Sequence, residues 1–204
     1  MMILATRSVG KLRELRPLFE ARGLEVQSLD EAGVPESPDE DGLEVFSTFD
    51  GNALAKARYF HALTGLPAVA DDSGLVLRAL DGAPGVMSKR WSGRPDLSGH
   101  ALDDENNRLL LERLRDVHDR RAGYVCAAAF VDSATAVVCR GETFGRIIDQ
   151  ASGDGGFGYD PYFESEELGR TFAAATVAEK EAVSHRGRAF RALLERLADG
   201  GVRV

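Results

Sequence analysis

Three things are scarce in this chain, and each scarcity removes a class of protein. Cysteine is the first: only Cys126 and Cys139 occur in 204 residues. Both sit in apolar, strand-like segments without a partner at metal-ligand spacing. They read as buried, reduced thiols of a cytosolic protein, not as a disulfide framework or a zinc motif. Long apolar runs are the second. The longest lies near Tyr124–Val131, far too short to span a bilayer. The opening MMILATRSVGK has a short apolar part whose charges follow it, which is not the order of a secretory signal. A cytoplasmic protein without a membrane partner is the expectation. Positive charge is the third: 25 Lys and Arg stand against 33 Asp and Glu, for a formal charge of −8. Gripping a nucleic acid polymer by its phosphates needs a broad basic surface. A small phosphorylated ligand needs only a few local cations and a divalent metal. Repeats, low-complexity tracts and linkers are missing too, so a single domain over residues 1–204 is expected.

What is present is an interspersed pattern of strands and helices. Met2–Ala5 reads as a short buried strand. Lys11–Arg22 reads as an amphipathic helix with Leu12, Leu15, Leu18 and Phe19 on one face, stopped at Gly23. Leu24–Leu29 is a strand candidate, and residues 35–44 form an acidic loop. Asn52–Thr64 reads as a helix closed by Gly65 and Pro67, Ala68–Ala70 as a strand, and Asp103–Leu114 as a helix. Tyr124–Val131 and Ala136–Arg140 look like antiparallel partners around a turn at residues 132–135. Thr176 and Glu179 fit a capping box. Val183, Phe190, Leu193, Leu194 and Leu197 mark a C-terminal helix. The pattern predicts an α/β fold with a mixed sheet flanked by helices.

Four segments carry chemical potential. In ATRSVGKLREL (Ala5–Leu15) a strand enters a small-residue turn and then a helix bearing Lys11, a geometry that favours phosphate at the helix N-terminus. It is not a P-loop, because Ala5 and Leu12 stand where that motif needs Gly and Ser/Thr. By itself the segment reads as an ordinary loop with a solvated lysine. In ADDSG (Ala70–Gly74) two adjacent carboxylates follow an apolar run. Two readings stand side by side: a hard-oxygen site for Mg²⁺, or an Asx-type turn in which Asp and Ser cap local N–H groups. In GDGGFGYDP (Gly153–Pro161) glycines allow close backbone approach, Phe157 and Tyr159 offer faces for stacking, and Asp160 offers an acceptor. Finally, Lys180 with Ser184-His185-Arg186 supplies cations near a helix start.

Together these blocks resemble the inosine triphosphate pyrophosphatase family, the Ham1-like nucleoside-triphosphate diphosphatases. The resemblance rests on TRSVGKLREL, NALAKA, ADDSGL with its following GAPG, GFGYDPYF, and EK with SHR, in that order over nearly the whole chain. It implies a mixed α/β fold of two lobes with a nucleotide cleft between them, a homodimer and a need for Mg²⁺. It implies hydrolysis of ITP, dITP and XTP at the α–β phosphoanhydride, giving the monophosphate and pyrophosphate and clearing deaminated purines from the nucleotide pool. Carried over by residue, Asp72 is the general base and a metal ligand. Thr6, Arg7, Ser8, Val9, Gly10 and Lys11 embrace the triphosphate, and Ser73 touches the substrate. Phe157, Gly158, Tyr159 and Asp160 line the base pocket, while Lys180, His185 and Arg186 contact phosphate or base edge. The chain departs from the family pattern at Ser8, usually Asn, at Arg7, usually small, and at Gly51, where the family's ENA reads GNA. The second metal carboxylate falls on Glu44 when counted back from Asn52, or on Glu40 when matched by local pattern; Glu44 is the expectation taken. A pyrophosphatase for modified pyrimidine nucleotides and a nucleotide-binding regulator without catalysis are the competing readings.

Overall fold

A computed structural model describes residues 1–199. In chain order the elements are β1 (Met2–Leu4), α1 (Val9–Glu20), β2 (Val26–Ser28), α2 (Phe49–Thr64), β3 (Ala68–Leu77), α3 (Gly99–Arg113), β4 (Arg121–Val131), β5 (Ala136–Ile147), β6 (Phe163–Ser165), β7 (Arg170–Thr171), α4 (Val177–Val183) and α5 (His185–Asp199). Short 3₁₀ turns lie at Pro38–Gly42 and Gly85–Arg90. The strands form one sheet in the order β2-β1-β3-β4-β5-β6-β7. Pairing is parallel for β1 with β2 and β3, and antiparallel for β5 with β6 and β6 with β7. The fold is therefore mixed α/β, as the alternation of elements predicted.

The chain folds as two compact units. Of the described residues, the first comprises 1–72, 126–141 and 185–199; the second comprises 73–125 and 142–184. In the first, strand alternation sorts side chains to two faces. Met2, Leu4, Cys126, Ala128 and Phe130 join one core with Leu15 and Phe19 of α1 and Phe190 and Leu193 of α5. There the Phe19 and Phe190 rings meet edge to face, with centroids 5.9 Å apart. Ile3, Ala5, Ala127 and Ala129 turn the other way and pack with Ala53, Ala57 and Phe60 of α2. The second unit has its own core of Leu75, Leu77, Leu110, Tyr124, Phe163 and Phe172. Among the described residues, no helix is long and apolar enough to cross a membrane.

Caps fix several boundaries. Ser8 is the N-cap of α1, its Oγ accepting from the Lys11 N–H, so the helix begins at Val9 rather than Lys11. Thr176 and Glu179 form the expected capping box of α4. The C-terminal helical region is broken: Ser184 is extended, with ψ 153°, so α4 stops and α5 starts afresh at His185. The acidic loop contains a 3₁₀ turn closed by its own capping box, in which Glu40 accepts from the Ser37 N–H.

Candidate active site

The apolar run before Asp71 and Asp72 does not end at them. β3 continues through Asp71-Asp72-Ser73 to Leu77, which removes the Asx-turn reading. On a strand, neighbouring side chains face opposite ways, and the two aspartates meet different surroundings. Asp71 is 1% exposed. Its Oδ2 lies 3.0 Å from Lys11 Nζ and 3.1 Å from Arg186 Nε, and the Cys126 thiol approaches to 3.8 Å. Arg186 in turn reaches Glu14 Oε2 at 2.5 Å. Two cations and two carboxylates thus balance inside the first unit, as buried charges require. Burial alone would raise the Asp71 carboxyl, but Lys11 and Arg186 overcome it and hold Asp71 well below the ordinary range. Asp71 is therefore an internal counter-ion, where the sequence suggested a residue that holds a turn.

The Asp72 side chain meets α2 instead. Asn52 is fully buried; its Nδ2 donates to Asp72 Oδ2 at 2.8 Å, and its Oδ1 accepts from the Phe46 N–H at 2.9 Å. One helical turn on, Lys56 Nζ lies 2.7 Å from Glu44 Oε1 and 3.7 Å from Asp72 Oδ1. The NALAKA segment thus places Asn52 and Lys56 on one face and gathers two acids around one ammonium. Gly51 gives the approach its room: a Cβ there would lie 2.8 Å from Phe46 Cβ. Burial pushes the Asp72 carboxyl up against the pull of Lys56 and Lys11, and Glu44 pushes the same way.

Of the two acids weighed for a metal, the structure brings Glu44 towards Asp72 and gives Glu40 to Arg7. Arg7 donates to Glu40 Oε1 at 2.7 Å and to the carbonyls of Val34 and Pro35 at 2.9 Å each, with Asp30 at 3.2 Å. Its guanidinium staples the acidic loop instead of lying open in the Thr6–Lys11 turn. Among the described residues, no three His, Cys, Asp or Glu side chains cluster closely enough to hold a metal by themselves. Asp72 and Glu44 are hard oxygen donors beside a cation they already attract. That set fits Mg²⁺, which commonly takes one or two carboxylates and completes its shell with water and phosphate.

Thr6–Lys11 forms the turn into α1. Thr6 Oγ1 accepts from the Ser8 N–H at 3.2 Å, Val9 is 70% exposed, and Gly10 opens the helix whose first N–H groups have no intrahelical partner. Lys11 reaches back to β3 as described. In the first unit Arg186 is buried and committed to Asp71 and Glu14, and His185, also buried, begins α5.

The second unit contains Ser73, half-buried on β3, and the Gly-rich loop. Asp160 Oδ2 accepts from the Phe157 N–H at 2.8 Å and from Lys180 Nζ at 2.6 Å. The same ammonium lies 5.0 Å from the Phe157 ring centre, a cation–π distance. Phe157, Asp160 and Lys180, from two separate sequence blocks, are thereby one cluster. Gly156 makes this possible: its φ is +72° and a Cβ would fall 2.2 Å from Asp160 Oδ2. Tyr159 corrects the reading of two stacking faces. It is 4% exposed, packs in the core and donates its hydroxyl to the Ser88 carbonyl at 2.8 Å, leaving Phe157 as the half-buried aromatic of the pair.

The sequence reading passed over the roles of Asn52, Lys56 and Glu14. The i, i+4 spacing of Asn52 and Lys56 was a usable signal; nothing local marks Glu14.

The family model of the Ham1 family matches residues 2–196. A dITP/XTP pyrophosphatase of Mycolicibacterium paratuberculosis is 50% identical over 202 residues, covering 96% of this chain and 95% of that protein. One of Salmonella paratyphi A is 46% identical, covering 98% of each. The structure of a HAM1 protein from Coxiella burnetii superposes with a TM-score of 0.82 at 36% identity, covering 97% of this chain and 98% of that one. With this match from end to end, on the fold and on the motifs gathered above, the chain belongs to the Ham1 family.

Proposed function

We propose that this protein hydrolyses the non-standard purine nucleotides ITP, dITP and XTP to the monophosphate and pyrophosphate, with Mg²⁺, as a single functional domain. The observation that carries this reading is Asp72: buried, its carboxyl raised from the ordinary value by that burial, fixed by Asn52 and gathered with Glu44 around Lys56. The names of its relatives support the choice of substrate.

Asp72 and Glu44 would hold the metal, which when bound lowers the pKa of a water and polarises a phosphoryl oxygen. Asp72 Oδ2 is engaged by Asn52, so Oδ1 is the atom that accepts the water's proton; a carboxyl raised by burial suits that task. Phosphoryl transfer depends on neutralising charge, and Lys56, Lys11 and Lys180 supply it, with the Thr6–Lys11 turn cradling phosphate oxygens. Phe157 stacks on the base. His185 and Arg186 contact phosphate or base edge; a 6-oxo purine offers an acceptor where adenine offers an amino group, and a buried donor left unmatched is costly. A cytoplasmic location and a homodimer complete the reading. The dimer is supported by exposed apolar residues such as Phe46 and Phe144, which a second copy would cover; light scattering checks it.

Pyrophosphate release from ITP, XTP, GTP and ATP tests the reaction. Asp72→Asn is expected to lower turnover of ITP by about 10²–10⁴-fold, the usual contribution of a positioned base. Equal turnover by both proteins removes Asp72 from the chemistry, and no turnover of any triphosphate by the unmodified protein removes the enzyme.

A further inference from the structure

Within the second unit, Gly158 is held by both of its backbone polar groups. Asp103 Oδ2 accepts from the Gly158 N–H at 2.8 Å, and Asn107 Nδ2 donates to the Gly158 carbonyl at 2.9 Å. The two side chains lie four residues apart on α3 and so share one face of it. Gly158 has φ +63°, a left-handed conformation that glycine adopts readily and other residues rarely. Between them, Asn106 donates to the Lys89 carbonyl at 3.0 Å and accepts from the Ser92 N–H at 2.8 Å. The Tyr159 hydroxyl closes the frame on the Ser88 carbonyl. α3, the Gly85–Arg90 turn and the Gly-rich loop are therefore tied into one framework by side-chain bonds to backbone. Leu110 of the same helix packs in the apolar core of the second unit.

We propose that Asp103 and Asn107 are positioning residues for base recognition: they clamp Gly158 and thereby set where the neighbouring Phe157 ring and the Asp160–Lys180 pair stand. This rests on the proposed function. The clamp also fixes which donors the loop can offer. The N–H groups of Phe157, Gly158 and Asp160 are taken by Asp160, Asp103 and the Phe157 carbonyl. These three amides are thus engaged within the loop's own frame, and the clamp acts on base selection through the placement of the Phe157 ring and the Asp160–Lys180 pair.

The two positions respond differently to near-isosteric change, and this separates a clamp from general damage. Asp103→Asn keeps an oxygen acceptor for Gly158, while Asp103→Ala and Asn107→Ala remove a partner. Expected are KM values for ITP about tenfold higher in both alanine variants, in line with loss of one hydrogen bond. Their kcat should stay within about twofold, with a narrowed preference for ITP over ATP; Asp103→Asn should resemble the unmodified protein. Amide exchange of Gly158 should quicken about tenfold in Asp103→Ala and little in Asp103→Asn. Asp103 is half-buried, so its variants decide the matter even where Asn107→Ala does not fold. Unchanged Gly158 exchange in Asp103→Ala, an Asp103→Asn as impaired as the alanine, or a fall in kcat at constant KM would each overturn the clamp. If the unmodified protein cleaves no triphosphate, the proposed function fails, and Gly158 exchange still decides whether the clamp exists.

Discussion

In the first unit, Asp71 lies 3.0 Å from Lys11 and 3.1 Å from Arg186, and a second acid, Glu14, balances the arginine. In the second unit, the loop at Gly153–Asp160 has one buried ion pair, Asp160 with Lys180. It is also anchored by side-chain bonding to backbone from Asp103, Asn107 and Tyr159, and by the Gly155 N–H on the Ala173 carbonyl. The contrast follows from what each unit handles in the proposed reaction. Phosphates and a metal bring net charge, so fixed charges must meet them and must themselves be neutralised when the site is at rest. A purine is flat and neutral, so its partner is a ring whose position matters more than its potential.

Breaking the ionic centre should have the largest effect on stability. Arg186→Met removes the guanidinium that both Asp71 and Glu14 reach. A loss of about 3–5 kcal/mol in urea unfolding is expected, the cost of stranding a buried charge. A loss below 1 kcal/mol would mean that Lys11 suffices and that the first unit is less dependent on charge than argued.

Gly156→Ala is the matching test in the second unit. The new Cβ meets Asp160 Oδ2 in a positive-φ position, at a cost of order 1–3 kcal/mol. Calorimetric melting should show that cost, and the KM for ITP should rise more than kcat falls. A variant whose KM is unmoved would separate the loop from the base.

The two acids of the first unit sharpen the comparison further. Glu44→Gln should raise the Mg²⁺ concentration needed for half-maximal activity by at least about tenfold, the low end of losses for changes around metal sites. Glu40→Gln, which removes only the charge facing Arg7, should leave that midpoint in place. The reverse result would assign the metal to Glu40.

The smallest effect is expected at the surface. Ser28's N–H and Arg16 hold the Glu31 carboxyl at about 2, below the usual ~4.3. A carboxylate with a depressed folded pKa adds stability above its unfolded pKa and loses it as pH falls towards the folded one. Glu31→Gln should therefore flatten the decline of Tm between about pH 4.5 and pH 2 and change nothing at pH 7 beyond the loss of the pair itself.

Much of this molecule was legible in the sequence. The apolar runs at Met2–Ala5 and Tyr124–Val131 predicted strands, and Thr176 with Glu179 announced the start of α4, because those signals are local. Ser8 was legible as a small polar residue before a helix, and its cap needs only the next turn of chain. Other features depended on distant partners. The end of β3 was placed at the aspartates, because two carboxylates look incompatible with a buried strand until Lys11, Arg186 and Lys56 are brought to them. Tyr159 looked like a free aromatic face until Ser88 took its hydroxyl. The bonds of Arg7 to Glu40 and two carbonyls, 27 to 33 residues away, could not be read from its own turn. The single C-terminal helix was broken at Ser184, where nothing in the apolar periodicity marks a change.

The sequence by itself determined the order and type of the main elements, the acidic charge, and which residue types stand ready for phosphate, metal and base. Propensity, periodicity and caps act within a turn or two of chain, so the residues state them directly. The tertiary structure alone decided which charges are paired and which are aimed. Asp71 and Asp72 are neighbours of the same type, yet one faces Lys11 and Arg186 and the other faces Asn52, Lys56 and Glu44. Electrostatic energy depends on distances between groups 16 to 115 residues apart in the chain, and only folding sets those distances.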